Sequence, residues 1–213
     1  MTLLGRIISF YSTCILSLCA GAVLWFGRQP SLIQPVILAV ILYLIPPLTF
    51  RLHRIFFPIR KSLSNLSERK YSPWWGAHQI QLIYTAIPQL EAALRLVPGL
   101  YSAWLRLWGS RIGRSVYWTP NVEITDRHAL DIGDRVVCGH KCKFLGHAIK
   151  PSGQKMALYT RTIKIGSDVF IGAGSRIGPG AVIAEGTFLP VLTDVHINQI
   201  VGPTPCSEQP VTF

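Results

Sequence analysis

The sequence predicts a mainly β chain, in which a parallel β-helix built of three-faced coils follows an N-terminal helical hairpin able to span a bilayer. Three observations predict it. Two uncharged runs, Ile7–Gly27 and Gln29–Phe50, fill most of the first fifty residues. A stretch dense in Trp, Leu and Pro comes next, with the spacing of short helices. From Arg111 the pattern changes, and an aliphatic residue recurs at every sixth position.

The two runs are 21 and 22 residues long, and Arg6 and Arg28 are the only charges before Arg51. A helix rises 1.5 Å per residue, so each run can cross a hydrocarbon core of roughly 30 Å. Hydrophobic residues make up 49% of the chain and charged ones 15%, a composition unlike that of a disordered or ordinary water-soluble domain. The second run contains Pro30, Pro35, Pro46 and Pro47, which suggest a kink, a re-entrant path or an end at Pro46-Pro47. For the first run the alternative is a cleaved signal peptide, with Ala20-Gly21-Ala22 as the cleavage site. The immediate succession of a second apolar run argues for the hairpin.

The stretch Arg51–Lys70 holds six Lys/Arg and one Glu, whereas the loop between the two runs carries only Arg28. The positive-inside rule then puts Arg51 onward, and the N-terminus, in the cytoplasm, with the hairpin in the inner or plasma membrane. Coming directly after a span, this basic run suits anionic lipid head groups rather than nucleic acid, despite a net charge of +11. Cys14 and Cys19 fall in the first run, and Cys138, Cys142 and Cys206 in the region assigned to a reducing compartment, so no disulfide framework is implied. The organisation expected is 1–50 as membrane segments, 51–110 as a juxtamembrane helical linker, 111–205 as the β-helix and 206–213 as a tail. Within the linker, Pro88 and Pro98 cut the helical pattern of Ile87, Leu90, Leu94 and Val97 into pieces. Trp74, Trp75, Trp104 and Trp108 suit either a membrane interface or a helix packed under the next domain.

The repeat reads IGSDVF, IGAGSR, IGPGAV, IAEGTF, LPVLTD. Ile165, Ile171, Ile177, Ile183 and Leu189 lead these hexads, and Val169, Ser175, Ala181, Thr187 and Thr193 stand four places on. Upstream, Ile112, Trp118 and Ile124 lead three hexads; a two-residue slip follows, then Ile132, Cys138 and Phe144. A period of six matches neither a helical stripe nor strand alternation. It matches three flat faces making a coil of about 18 residues, with the leading residue and a small one inside and glycine easing the corners through positive φ. FLGHAIKPSGQKMALYTRTIKIG, Phe144 to Gly166, interrupts the repeat, and insertions of this kind leave a solenoid at its corners as loops.

These hexads resemble the hexapeptide-repeat acyltransferases, over Arg111 to about Pro205. The resemblance implies a left-handed parallel β-helix, an exception to right-handed crossovers. LTDVHINQIVGPTP is similar to the Thr-x-Asp-Val stretch and Val-Gly-Asn-Pro-like turn that end the helix in that family, with the Asn absent here. The resemblance further implies a homotrimer with active sites between protomers, and a catalytic histidine on the inserted loop. His147 matches that position, with His140 of VCGHKC as the alternative. The chemistry needs one neutral imidazole to deprotonate a hydroxyl or amine as it attacks a thioester. Asp126, Asp131 and Asp134 are the carboxylates available to orient it.

The donor implied is acetyl-CoA or another acyl-CoA, lying along Gly172, Ala173, Gly174, Gly178 and Gly180, with Phe170 beside the site. Lys150, Lys155, Arg161, Lys164 and Arg176 are the candidates for its phosphates. Acyl carrier protein is an alternative donor. Tyr159 either lines the acceptor pocket or packs the loop down. Cys138, His140 and Cys142 invite a metal reading, but the spacing lacks a second ligand pair, and the register makes both cysteines interior, so no metal is expected. A zinc hydratase of the same fold would need histidine pairs that His140 and His147 do not match. The function expected is a membrane-anchored acyltransferase acting on a lipid, glycolipid or sugar-type acceptor. The alternative is a non-catalytic trimerising or docking β-helix.

Overall fold

The structure is a computed structural model that describes residues 2–59, 63–68, 70–153 and 155–203. Arg60, Lys61 and Arg69 of the basic run lie outside the described residues, as do Cys206 and the rest of the segment from Thr204 onward. The described chain divides into two compact units. One takes the chain up to Ile59 together with Glu68–Ile87; the other takes Leu63–Ser67 and everything from Pro88. The stretch read as one linker, 51–110, is therefore shared between them.

The first unit is helical: α1 (Leu3–Ile8), α2 (Tyr11–Arg28), α3 (Ile33–Tyr43), α4 (Ile45–Phe56) and α5 (Pro73–Ala86). Leu3–Arg28 and Ile33–Phe56, 26 and 24 residues, are long and apolar enough to cross a membrane. Pro46 and Pro47 do not end the second segment. They occupy the first turn of α4, where no amide donor is required, and the helix continues to Phe56 with Arg51 and Arg54 on it. α5 packs on α1, α2 and α4 and buries Trp74, Ala77, Ile80, Ile83 and Tyr84. The Tyr84 hydroxyl donates to the Leu42 carbonyl, and Trp75 Nε1 donates to the Gly5 carbonyl at 3.3 Å.

In the second unit, α6 (Gln89–Arg95) and α7 (Leu100–Leu107) begin after the breaks at Pro88 and at Pro98-Gly99, where Gly99 takes φ +78°. The helical spacing from Ile87 to Val97 does not survive as one helix, because Ile87 caps α5 and Val97 lies exposed beyond α6. α7 packs on the first strand of the β-helix, with Tyr101, Trp104, Leu105 and Trp108 buried. Trp118 Nε1 donates to Ser102 Oγ at 2.9 Å. For Trp104 and Trp108 the reading as a helix packed under the next domain is the one observed.

The β-helix stacks three parallel sheets. Face 1 holds β2 (Arg111–Ile112), β5 (Leu130–Ile132), β10 (Ile163–Ile165), β13 (Val182–Ile183) and β16 (Ile200–Val201). Face 2 holds β3 (Tyr117–Trp118), β6 (Val137–Cys138), β11 (Phe170–Ile171) and β14 (Phe188–Leu189). Face 3 holds β4 (Glu123–Ile124), β7 (Lys143–Phe144), β12 (Arg176–Ile177) and β15 (Asp194–Val195). The leading hexad residues are in register: Ile112, Ile132, Ile165, Ile183 and Val201 on face 1; Trp118, Cys138, Ile171 and Leu189 on face 2; Ile124, Phe144, Ile177 and Val195 on face 3. Nearly all are buried, as are Val169, Ser175, Ala181 and Thr187. Cys138 and Cys142 face the interior, and Cys142 Sγ donates to the Gly172 carbonyl at 3.2 Å.

The hexad glycines have two causes: Gly174, Gly180 and Gly186 take the positive φ expected at corners, and others are required by the closeness of the next coil. Left-handed corner backbone is taken mostly by other residues, among them Ser115, Asn121, Arg135, Lys141 and Asp168. Gly139 and Gly166 are there because coils nearly touch. A Cβ on Gly139 would sit 2.6 Å from the Ala173 nitrogen, and one on Gly166 would sit 2.5 Å from the Glu185 nitrogen.

The break in the repeat is a β-hairpin, β8 (His147–Ser152) and β9 (Lys155–Thr160). β9 also pairs antiparallel with β1 (Leu63–Asn65), which makes a three-stranded sheet beside the helix.

Phe144 is wholly buried in the second coil. Phe144→Ala is expected to destabilise the β-helix by about 3–5 kcal/mol in guanidinium unfolding. Phe170→Ala, on the outer surface of face 2, is expected to cost about 1 kcal/mol or less, because Phe170 is exposed and only stacks on Phe188.

Candidate active site

Successive coils of this helix must follow the same path, so extra residues leave it at corners. Two places carry extras. Eight residues separate Ile124 from Ile132, and twenty-one separate Phe144 from Ile165, where six is the rule. Both fall at the corner between face 3 and face 1, in consecutive coils.

The smaller irregularity is the turn Thr125–His128. The Asp126 carbonyl accepts from Ala129 N at 2.9 Å, and Ser110 Oγ donates to the Arg127 carbonyl at 2.8 Å. Arg127, 1% exposed, donates from Nε to Glu91 Oε1 of α6 at 2.5 Å. Arg95 Nη2 also donates to Glu91, at 3.2 Å, and to the Val122 carbonyl at 2.8 Å. This clamp turns Asp126 toward the larger irregularity one coil on.

There His147 opens the hairpin, and its Nδ1 lies 2.6 Å from Asp126 Oδ2. The Asp126 side chain is 3% exposed and that of His147 17%. Thr125 Oγ1 donates to the same carboxylate oxygen at 2.9 Å and accepts from Gly146 N at 3.2 Å. Residue 146 has to be glycine: a Cβ there would lie 2.6 Å from Asp126 Cβ. Burial pushes the Asp126 carboxyl up, but the His147 hydrogen bond and charge, then the His128 charge and the Thr125 bond, outweigh it and hold the pKa at about 2. An ionised Asp126 accepts the Nδ1 proton, which makes Nε2 the basic nitrogen of the ring.

The same corner continues along the stack. Arg161, whose N donates to the Gly146 carbonyl at 3.1 Å, sits over Gly180 and donates from Nη1 to Asn198 Oδ1 at 2.8 Å. Tyr159 packs the hairpin down by donating to that Asn198 oxygen at 2.6 Å. Gly178 and Gly180 lie at this corner in the third coil.

Other residues singled out in the sequence lie elsewhere. His140 is exposed at the corner between faces 2 and 3, while Cys138 and Cys142 turn inward, so the three do not converge. Among the described residues no cluster of three His, Cys, Asp or Glu is placed for a metal. Asp134 lies at the corner between faces 1 and 2 and accepts from Arg114 N at 2.6 Å; Asp131 faces Arg111 at 3.7 Å on the outside of face 1. Neither is at the His147 corner. Gly172, Ala173 and Gly174 do not form one surface with Gly178 and Gly180, because they occupy the next corner round, between faces 2 and 3. Phe170 stacks on Phe188 at 5.2 Å on face 2. Arg176 is paired with Asp194 on face 3, Lys164 stands on face 1, and Lys150 and Lys155 are exposed toward the hairpin's outer end. Thr125, Gly146, Asn198 and the Glu91–Arg127 pair were not singled out. The signal that finds the first two is the coincidence of the slip and the insertion at one corner.

No known family profile matches the chain. Galactoside O-acetyltransferase of Escherichia coli (strain K12) is 30% identical over 108 residues, covering 45% of this chain and 50% of that protein. The chain thus spans about half the length of this curated relative. By sequence, the chain is similar to a sugar O-acetyltransferase over about half its length. Among solved structures, a hexapeptide-repeat acetyltransferase of Vibrio cholerae O1 biovar eltor, complexed with acetyl coenzyme A, matches with TM-score 0.41 at 18% identity, covering 61% of this chain and 86% of that one. A maltose O-acetyltransferase from Clostridium difficile 630 matches with TM-score 0.34 at 15% identity, over 57% and 81%.

The Asp126 carboxyl is expected to titrate at about 2, followed by carboxyl carbon NMR. Its depressed pKa contributes stability that is present above the ordinary value of 3.8 and lost as pH falls through about 2. Asp126→Ala is expected to flatten that limb of the acid unfolding curve. Gly146→Ala is expected to push the carboxylate off the ring and abolish the downfield His147 Nδ1–H proton resonance.

Proposed function

We propose that this chain is an acyltransferase that moves an acetyl or acyl group from a coenzyme A thioester to a hydroxyl or amine, with His147 as general base and Asp126 as its orienting carboxylate. The observation that carries the reading is the 2.6 Å contact of His147 Nδ1 with the buried Asp126 carboxylate. The kinship to a galactoside O-acetyltransferase supports the reaction class and makes a sugar hydroxyl the first acceptor to test.

His147 Nε2 takes the acceptor proton as the acceptor oxygen or nitrogen bonds to the thioester carbonyl carbon. The tetrahedral intermediate collapses with cleavage of the carbon–sulfur bond, and the imidazolium returns its proton to the departing sulfur. Backbone amides at the corner are suited to the oxyanion. The coenzyme lies along the corner past Gly178 and Gly180, with Arg161, Lys150 and Lys155 toward its phosphates. In this reading the coil is the left-handed one of the family, and three copies complete three sites.

Leu3–Arg28 and Ile33–Phe56 anchor the chain in the inner or plasma membrane, with the β-helix on the cytoplasmic side. A lipid-linked sugar, a glycolipid or a lipid is then the acceptor class. Acyl carrier protein is the alternative donor.

The test is thiol release from acetyl-CoA by the purified full chain, with glycosides and membrane lipid extract as acceptors. His147→Ala is expected to lose about 100- to 10,000-fold in kcat/KM, and Asp126→Asn, which favours the wrong tautomer, to lose mainly kcat. Undiminished turnover in His147→Ala would remove the histidine from the mechanism. Absence of coenzyme A binding would leave a non-catalytic trimerising or docking role.

A further inference from the structure

A cavity of about 460 Å³ lies between α7 and the corner Gly113–Val116, where the first coil turns from face 1 to face 2. It is a different corner from that of Asp126 and His147. Arg95, Arg106 and Arg114 line it, and no Asp or Glu does. Arg106 is held in place by donating from Nε to the Ile112 carbonyl at 2.9 Å and from Nη2 to the Gly113 carbonyl at 2.8 Å. Arg114 is exposed, with no carboxylate in ion-pair distance among the described residues.

Deeper in, the Arg95 guanidinium lies 4.2 Å from the centre of the Tyr101 ring. Tyr101 is 1% exposed, and beyond the neighbouring Arg95 guanidinium its hydroxyl has no hydrogen-bond partner among the described residues, while Arg95 Nε has none. Buried polar groups are rarely left so. Burial first, then the Glu91 charge, push the Tyr101 phenol up, so it stays a protonated donor. Arg95 is paired with Glu91 and the Arg114 amide with Asp134, so the charge the wall leaves for a ligand is that of the Arg114 and Arg106 guanidinium groups, and the complement is an acceptor-rich anion.

The mouth adds a second requirement. Val97 and Tyr117 line the cavity and are themselves exposed, and Leu96 and Leu100 beside Val97 are 83% and 42% exposed. A free inorganic anion would leave this apolar rim in water, whereas an anion carrying hydrocarbon would cover it. We propose that this cavity binds the phosphate head group of an anionic lipid, with its hydrocarbon lying over Leu96, Val97 and Leu100. The site is separate from acyl transfer and takes from the proposed function only the location of the chain at a bilayer.

The experiment is calorimetric titration of the full chain in an uncharged detergent with dihexanoyl phosphatidic acid, dihexanoyl phosphatidylcholine or inorganic phosphate. Saturable binding of the phosphatidic acid is expected, with the other two about tenfold weaker or more. Arg114→Gln is expected to weaken it about tenfold and Arg114→Glu to abolish it, with the lipid-free unfolding midpoint unchanged. No acyl donor is needed, and His147→Ala is expected to bind like the parent chain, so failure of the acyltransferase reading leaves this result standing. Lack of saturable binding, or equal binding by Arg114→Glu, would overturn the site. Inorganic phosphate binding as tightly as phosphatidic acid would overturn the lipid assignment in favour of a soluble phosphoryl ligand.

Discussion

The stacking of one coil on the next is the constraint on which the rest of the β-helix depends. Each inner strand pairs with the strand one coil before and one coil after, and Gly139, Gly166 and Gly172 sit so close to the next coil that no side chain fits. A coil cannot lengthen along a face without breaking both ladders. Extra residues can leave only where pairing is absent, at a corner. A residue leaving one coil at a given corner is then a neighbour of one leaving the next coil at the same corner. That is how Asp126 and His147, 21 residues apart, come to lie 2.6 Å apart.

A buried carboxylate has to be compensated. Asp126 is compensated by His147 and Thr125, and the turn that carries it is pinned from outside by the Glu91–Arg127 pair. α6 thus bears on the site without touching it. The hairpin is held from two directions as well. Gly146 and Arg161 fix its base on the coil, and Tyr159 reaches Asn198 in the fourth coil. The pairing of β9 with β1 extends that support outward. His147 therefore stands at the fixed end of the insertion, while Lys150 and Lys155 stand toward its outer end.

The prism was legible because period six leaves a mark on every coil: the leading aliphatics, the small residues after them except the half-buried Thr193, and the inward cysteines lie where the register puts them. His147 was legible as the first titratable side chain of the interruption. Its carboxylate was not singled out from Asp131 and Asp134, because three aspartates within ten residues look alike until each is assigned a corner. The residues grouped as one coenzyme surface fall at two corners for the same reason. Gly172 and Gly178 are one hexad apart, and in a three-faced coil that spacing moves a residue to the next corner. The helical connector was only partly legible, since spacing from Ile87 to Val97 carries no information on which unit each piece joins.

The apolar content of the chain is spent in two different ways. In the β-helix the leading residues are almost wholly buried, and outward positions carry charge pairs such as Glu123–Lys143 and Arg176–Asp194. In α2 only Ile15 and Ala22 are buried, while Leu16, Leu18, Val23, Leu24, Trp25 and Phe26 are exposed. Burying such a side chain is worth about 1.5–3 kcal/mol, so six of them left in water would weigh heavily against a typical net stability of about 5–15 kcal/mol. The β-helix is complete as a protein interior. The helical unit is not: its exposed apolar side chains lie on Leu3–Arg28 and Ile33–Phe56, two segments long and apolar enough to cross a membrane.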